Sequence, residues 1–535
     1  MNPRSSGILL HLTSLSNAYP IGDLGPAATA FVDFLVESGQ HWWQMLPIGP
    51  TGEDDSPYQS SSAFAGNPLL IGLDRLVEQG ILDRKEIELP ISLPEGRVDY
   101  PAAIRLKSRC LRLAFEHFET DRMSDRQSEL DAFARSQSYW LADFSLFLAI
   151  QSSVGTSNWT RWSQELRTRQ PQAIARAQER FAGEIRFHQF VQWQFFLQWQ
   201  ELKAYCAAKR IGLIGDVPIF VAHQSADVWA HPELFKLDGD GNPTVVAGVP
   251  PDYFSKTGQL WGVPVYCWEA LQRQNYSWWI ERLRTAFARF DLNRLDHFIG
   301  FVRTYEVPAQ DQTALNGQYQ PGGGEAFFAA VRAALGGLPV IADDLGATTP
   351  EVTALMCRLQ IPGMRVLQFE FGSNFEANSV PVNSVVYTGT HDNDTTAGWY
   401  QKLPEMQRQA LQERMHANDQ EVVWALLGEA LASPSGIAIA PAQDLLELGS
   451  EARMNSPGSA KGNWRWRLGS DSLTPNLAQR LRKITGANRR LAEVPTPAAI
   501  ATRAYALYEG RGRHDGQTVQ DWTGAERETM AEANR

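Results

Sequence analysis

The sequence predicts an α/β fold, a (β/α)8 barrel with large, mainly helical insertions between strands on its C-terminal face. Three observations predict it. Eight short apolar runs recur along the chain, helix-like segments separate most of them, and three of them end in Asp. Strands buried on both faces of a parallel sheet read as continuous apolar runs. Their alternation with helical stretches marks βα units, and eight such units close into a barrel.

The runs are Ile8–Leu12, Trp43–Pro47, Ile211–Asp216, Leu292–Asp296, Pro339–Asp343, Met364–Phe369, Ser384–Thr388 and Gly436–Ala440. Helix-like sequence includes Ala27–Glu37, Ala326–Leu335 and Glu351–Leu359. A short apolar run can also belong to a buried helix, so the alternation carries the assignment.

Two gaps are too long for simple crossovers. More than 160 residues separate the second and third runs, and Ile104–Phe118, Ser138–Ile150 and Ala173–Leu202 within them look helical and Trp-rich. Between the third and fourth lies His231–Trp268, rich in Gly and Pro and loop-like. Insertions of this kind decorate the C-terminal face of a barrel. The expected organisation is a catalytic barrel over 1–510, with a largely helical insertion at 70–205, a loop-rich one at 222–285 and a short one at 304–325. The polar stretch Arg511–Arg535 lacks an apolar period and is expected to be a disordered or loosely docked tail.

Composition narrows the function. Hydrophobic residues make up 43% of the 535 residues, enough for a large core. The formal net charge of −11 disfavours a nucleic-acid or anionic-membrane partner. No signal peptide or membrane-spanning run is expected, so the reading is a soluble cytoplasmic protein. Cys110, Cys206, Cys267 and Cys357 form no CxxC pair, which leaves free buried thiols as the expectation. The 17 Trp suit both core packing and stacking on the flat apolar faces of sugar rings. Asp238-Gly239-Asp240-Gly241-Asn242 starts like a calcium loop, but Val249 stands at its twelfth position, where a bidentate carboxylate is required. A Gly/Asp turn is expected instead.

Carboxylates gather at the predicted C-terminal strand ends: Asp216, Asp296, Asp343 with Asp344, and His391-Asp392. That face holds the active sites of barrel enzymes. A single Asp there commonly caps the next helix, but four clusters at one rim ask for a chemical reason, because burying carboxylates costs free energy. Strand alternation points Arg294 and Asp296 the same way. A guanidinium beside Asp296 is expected to lower its pKa and keep it ionised, as a nucleophile requires. A carboxyl on the neighbouring strand would complete the pair that retaining glycoside chemistry needs, and His391 and Asp392 would bind ring hydroxyls and stabilise the transition state. The same Asp and His residues also suit a metal-dependent hydrolase, but the sequence has no HxH or HxxxH pair.

At these residues the sequence resembles the amylomaltases, glycoside hydrolase family 77. Asn293-Arg294-Leu295-Asp296-His297-Phe298 is similar to the family's nucleophile motif, Ile341-Ala342-Asp343-Asp344-Leu345-Gly346 to its acid/base motif, and Tyr387–Thr395 to its third catalytic motif. His11–Leu15, Ser56–Gln59, Ala65–Pro68, Ala247–Asp252, Gly258–Gly262, Ser450–Asn455 and Gly462-Asn463-Trp464 fit as well, in order along the chain. The resemblance implies transfer of α-1,4-glucan segments by a retaining double displacement, without cofactor or metal. It implies Asp296 as nucleophile, position 343 as acid/base and Asp392 as transition-state stabiliser. It implies Tyr58, Asp216, Trp261, Arg294, His297, His391 and Asn463 as substrate-binding, with Tyr58 and Trp261 in loops over the mouth. The implied partners are maltose, maltooligosaccharides and starch or glycogen segments, and the implied assembly is a monomer or homodimer. The family has Glu where Asp343 stands, one methylene longer. An α-glucan hydrolase and a glucan-binding pseudoenzyme are the rival readings, separated by the products formed from maltotriose.

Overall fold

The computed structural model describes residues 4–491 apart from 53, 89–95, 121–123, 252–254, 347, 372–378 and 460, together with 497–510 and 525. Eight parallel strands close a barrel: β1 (Ser5–Leu9), β2 (Trp42–Gln44), β3 (Gly212–Val217), β4 (Leu292–Leu295), β5 (Val340–Ala342), β6 (Gly363–Val366), β7 (Ser384–Tyr387) and β8 (Ile437–Pro441). Their order around the barrel is their order in the chain, and β8 pairs with β1 from Ser5↔Ile437 onward to close it. Most strand residues are buried, as their continuous apolar character requires.

Each expected strand has a counterpart, and the boundaries move for identifiable reasons. β1 begins at Ser5, earlier than the apolar run, and the chain has turned into a 3-10 helix by Leu12–Ser14. The strand starts on small residues because Trp42 of β2 lies beside it: a Cβ on Gly7 would come within 2.4 Å of the Trp42 Cβ. Gly212 of β3 leaves space for the same indole ring from the other side. β6 stops at Val366, where Leu367–Glu370 coils into a helical turn that leaves Phe369 exposed.

The segment between β2 and β3 folds into helices Tyr100–Thr120, Ser124–Ser136, Ser138–Val154, Pro171–Arg180 and Ala182–Ala208. The single helix expected over Ala173–Leu202 is two, parted at Phe181, whose backbone leaves the helical range. Trp159, Trp199, Trp229 and Trp279 are fully buried, so much of the tryptophan content is core.

The loop-like stretch His231–Trp268 is more ordered than expected. Val245–Val249 and Gln259–Pro264 pair antiparallel, and with Arg303–Pro308 and Gln318–Pro321 they form a second, four-stranded sheet. Its strands carry too much Gly and Pro for the alternation to be read in sequence. Trp261 therefore sits on a strand, not in a loop. Alternation along the strand sends Trp261 to the face opposite its neighbour Leu260, towards Phe220 and His297 of the barrel mouth. Asp238–Asn242 is a tight turn in which the Asp238 carboxylate accepts the amides of Asp240 and Asn242. All four cysteines are free, but only Cys110 and Cys206 are buried: Cys267 is half-buried and Cys357 exposed, contrary to expectation. The tail over 511–535 lies outside the described residues, except Ala525. Among the described residues no helix is long and apolar enough to cross a membrane.

Candidate active site

The ends of β3, β4 and β5 are knitted together by backbone bonds: Asp296 N–H donates to Val217 O, Asp343 N–H to Leu295 O, and Phe298 N–H to Asp343 O. This brings three carboxylates onto one guanidinium. Arg294 is 2.6 Å from Asp216 Oδ2 through Nη1, and its Nη2 reaches Asp296 Oδ1 at 2.9 Å and Asp343 Oδ2 at 2.6 Å. Because Asp296 and Asp343 share that nitrogen, their bonded oxygens stand no more than about 5.5 Å apart, within reach of the roughly 5–5.5 Å spacing of retaining carboxyl pairs. Asp343 also accepts the amides of His297 and Leu345. Its neighbour Asp344 is turned away, 7% exposed, accepting Met364 N–H of β6 and facing Arg365.

One cation among several carboxylates leaves surplus negative charge. Burial raises the Asp296 pKa from 3.8 to about 8, with Asp216, Asp343 and Asp392 adding to the effect of burial and outweighing Arg294. Arg294 does act to lower it, as expected, but the net shift is upward, so the expectation that Arg294 keeps Asp296 ionised is not met, even though the Asp296 side chain keeps 26% of its surface exposed. Burial also raises Asp216. Asp296 and Asp216 are therefore both displaced towards their protonated forms. Burial lowers His391, and lowers His297 to about 4, so both imidazoles are neutral hydrogen-bonding groups at pH 7.

Asp392 stands on the loop after β7, near enough to Asp296 to help raise its pKa. Both ends of that loop are tied to buried Asp444: Thr388 Oγ1, Thr396 N–H and Thr396 Oγ1 all donate to its carboxylate. An aromatic wall stands beside Asp392. Tyr58 stacks on His391 at 5.2 Å, and Trp464 tilts over both rings. Tyr58 OH donates to Asp216 Oδ2, which joins the wall to the Arg294 cluster. Trp261 meets His297 edge-on at 4.7 Å. Asn463 is placed differently from these: its side-chain oxygen accepts Ser456 N–H and its amide donates to Ser459 O, so it braces its own loop.

Sequence reasoning gave no role to Arg453, Asn455 or Trp464. Arg453 Nη2 donates to Asp392 O and Asn455 Nδ2 to Asp392 Oδ1, both at 2.6 Å. The motifs containing them were visible, but nothing local told which side chain would reach a loop about sixty residues away. Among the described residues no three His, Cys, Asp or Glu side chains are grouped to hold a metal ion.

A family model described as 4-alpha-glucanotransferase matches residues 10–472, and one described only as a protein of unknown function matches residues 495–531. The 4-alpha-glucanotransferase of Thermus thermophilus is 47% identical over 502 residues, covering 91% of this chain and 99% of its own. The chloroplastic/amyloplastic 4-alpha-glucanotransferase of Solanum tuberosum is 41% identical over 505 residues, covering 91% and 87%. The solved amylomaltase of Streptococcus agalactiae in complex with acarbose matches with a TM-score of 0.88 at 36% identity, covering 91% of this chain and 100% of that one. The chain belongs to the 4-α-glucanotransferase family, glycoside hydrolase family 77.

Proposed function

We propose that the chain moves α-1,4-glucan segments from a donor glucan to the 4-hydroxyl of an acceptor glucan or glucose by a retaining double displacement. The observation that supports it most is the nitrogen of Arg294 shared by Asp296 and Asp343, which holds an oxygen of each carboxyl within about 5.5 Å of the other, compatible with a retaining pair. The Asp296 carboxylate attacks the anomeric carbon, the bond to the leaving 4-oxygen breaks, and Asp343 gives that oxygen its proton. The acceptor 4-hydroxyl then returns a proton to Asp343 as its oxygen displaces Asp296. Positive charge developing at the anomeric carbon favours the ionised form of Asp296 in the transition state. Asp392 stabilises that charge. Tyr58, Asp216, Arg294, His297 and His391 hold the donor sugar, Trp261 packs on the glucan, and Asn463 supports the loop bearing Trp464.

The acarbose bound to the Streptococcus agalactiae amylomaltase supports an α-glucan oligosaccharide in this mouth. Free thiols and acidic net charge support a cytoplasmic protein without a nucleic-acid partner. Incubation with maltotriose tests the proposal. Glucose plus a ladder of longer maltooligosaccharides is expected; glucose and maltose alone would mean hydrolysis, and no conversion a binding protein.

A further inference from the structure

Asp392 is poorly enclosed for a group that must meet a developing charge. Its side chain is 43% exposed, and it stands on a loop. What holds it comes from the segment after β8. Asn455 N–H donates to His391 O at 3.0 Å, Arg453 Nη2 donates to Asp392 O, and Arg453 Nε donates to Asn455 O at 2.7 Å. These bonds dock residues 453–455 along residues 391–392. The Asn455 amide then reaches Asp392 Oδ1 at 2.6 Å, with His391 Nε2 3.4 Å from the same oxygen. Among the described residues no protein donor engages Oδ2. The next residue back, Met454, accepts Trp464 N–H through its carbonyl, so the same segment also fixes the aromatic wall.

The identity of the donors matters. Asp216, Asp296 and Asp343 all touch a guanidinium, and a charged partner neutralises the carboxylate it bonds. Asn455 is neutral, as is His391 at pH 7. A neutral amide fixes the direction of a carboxylate and leaves its charge uncompensated, and a preorganised, uncompensated charge is what stabilises a cationic transition state.

We infer that Asn455 is a positioning residue for the transfer reaction: its amide holds Asp392 Oδ1 so that Oδ2 faces the donor sugar. The inference rests on the transition-state role proposed for Asp392. Misplacing a reacting group by about 1 Å costs on the order of 10²-fold in rate. Asn455→Ala should therefore lower kcat for maltotriose disproportionation by about that factor, with KM changed by less than about threefold, because the sugar-holding residues are untouched. Asn455→Asp is nearly isosteric and keeps the fold comparable. Its introduced carboxyl donates to Asp392 only when protonated, so its activity should recover as pH falls and its pH–rate profile should shift to acid. The experiment measures kcat, KM and the pH profile of both variants beside Asp392→Asn. A parent-like kcat in Asn455→Ala, or a pH profile of parental shape in Asn455→Asp, overturns the inference. An active Asp392→Asn overturns instead the role assigned to Asp392.

Discussion

Asp296 and Asp392 face one mouth and are held in different ways. Asp296 follows directly on β4, bonds a buried guanidinium, and is backed by the neighbouring strand ends through Asp216 and Asp343. Asp392 sits on a loop, takes among the described residues only neutral donors to its carboxylate, and depends on a segment distant in sequence. The first arrangement ties chemistry to the stability of the barrel. The second leaves charge free for the reaction and lodges precision in removable hydrogen bonds. Changes on the Arg294 side should therefore disturb stability and rate together, and changes on the Asp392 side mainly rate.

The largest expected effect is Asp296→Asn, which should reduce transfer from maltotriose to background while glucan binding survives, because an amide forms no glycosyl ester. The same variant tests the electrostatics. With its pKa raised from 3.8 to about 8, Asp296 makes the folded chain bind more protons than the unfolded one across that window, so its contribution to stability falls as pH rises through it. Melting temperatures of parent and variant at pH 5 and pH 9 should show the variant gaining on the parent at the higher pH. A constant difference would mean that Arg294 keeps Asp296 ionised throughout.

Next in size, Asp343→Glu should raise transfer activity about 10- to 10³-fold, from the usual worth of general acid catalysis and the cost of its misplacement. In the structure Asp343 is drawn back onto Arg294 and two backbone amides, and a longer side chain would reach further into the mouth. Equal or lower activity would show that the backbone already suits Asp. A smaller effect is expected of Trp261→Ala, which should raise the apparent KM for maltooligosaccharides more than it lowers the melting temperature. Smallest is Tyr58→Phe. Losing the hydroxyl that bonds Asp216 at 2.8 Å should cost about 0.5–1.5 kcal/mol, read in thermal or denaturant unfolding, with the stack on His391 kept.

The same contrast explains what could be read from sequence. The barrel was legible because its strands are continuous apolar runs, and the cluster on β3, β4 and β5 because strand ends place Asp216, Arg294, Asp296 and Asp343 by rule. The second sheet was not, since Gly248, Gly258, Gly262 and Pro264 interrupt the pattern of Val245–Pro264. The direction of the Asp296 shift was missed because a pairwise view of Arg294 counts neither burial nor the other carboxylates. The grip of Asn455 on Asp392 was hidden because it is a tertiary contact between two loops.

The most direct test of the central claim is to trap the glycosyl-enzyme. A glucosyl fluoride donor needs little protonation of its leaving group, so formation of the ester should outrun its turnover when no acceptor is supplied. After rapid acid quench and proteolysis, mass analysis should find one glucosyl unit on the peptide containing Asp296. A glucosyl unit carried instead by Asp343 or Asp392, or donor consumed with no labelled peptide at any time, would contradict the account.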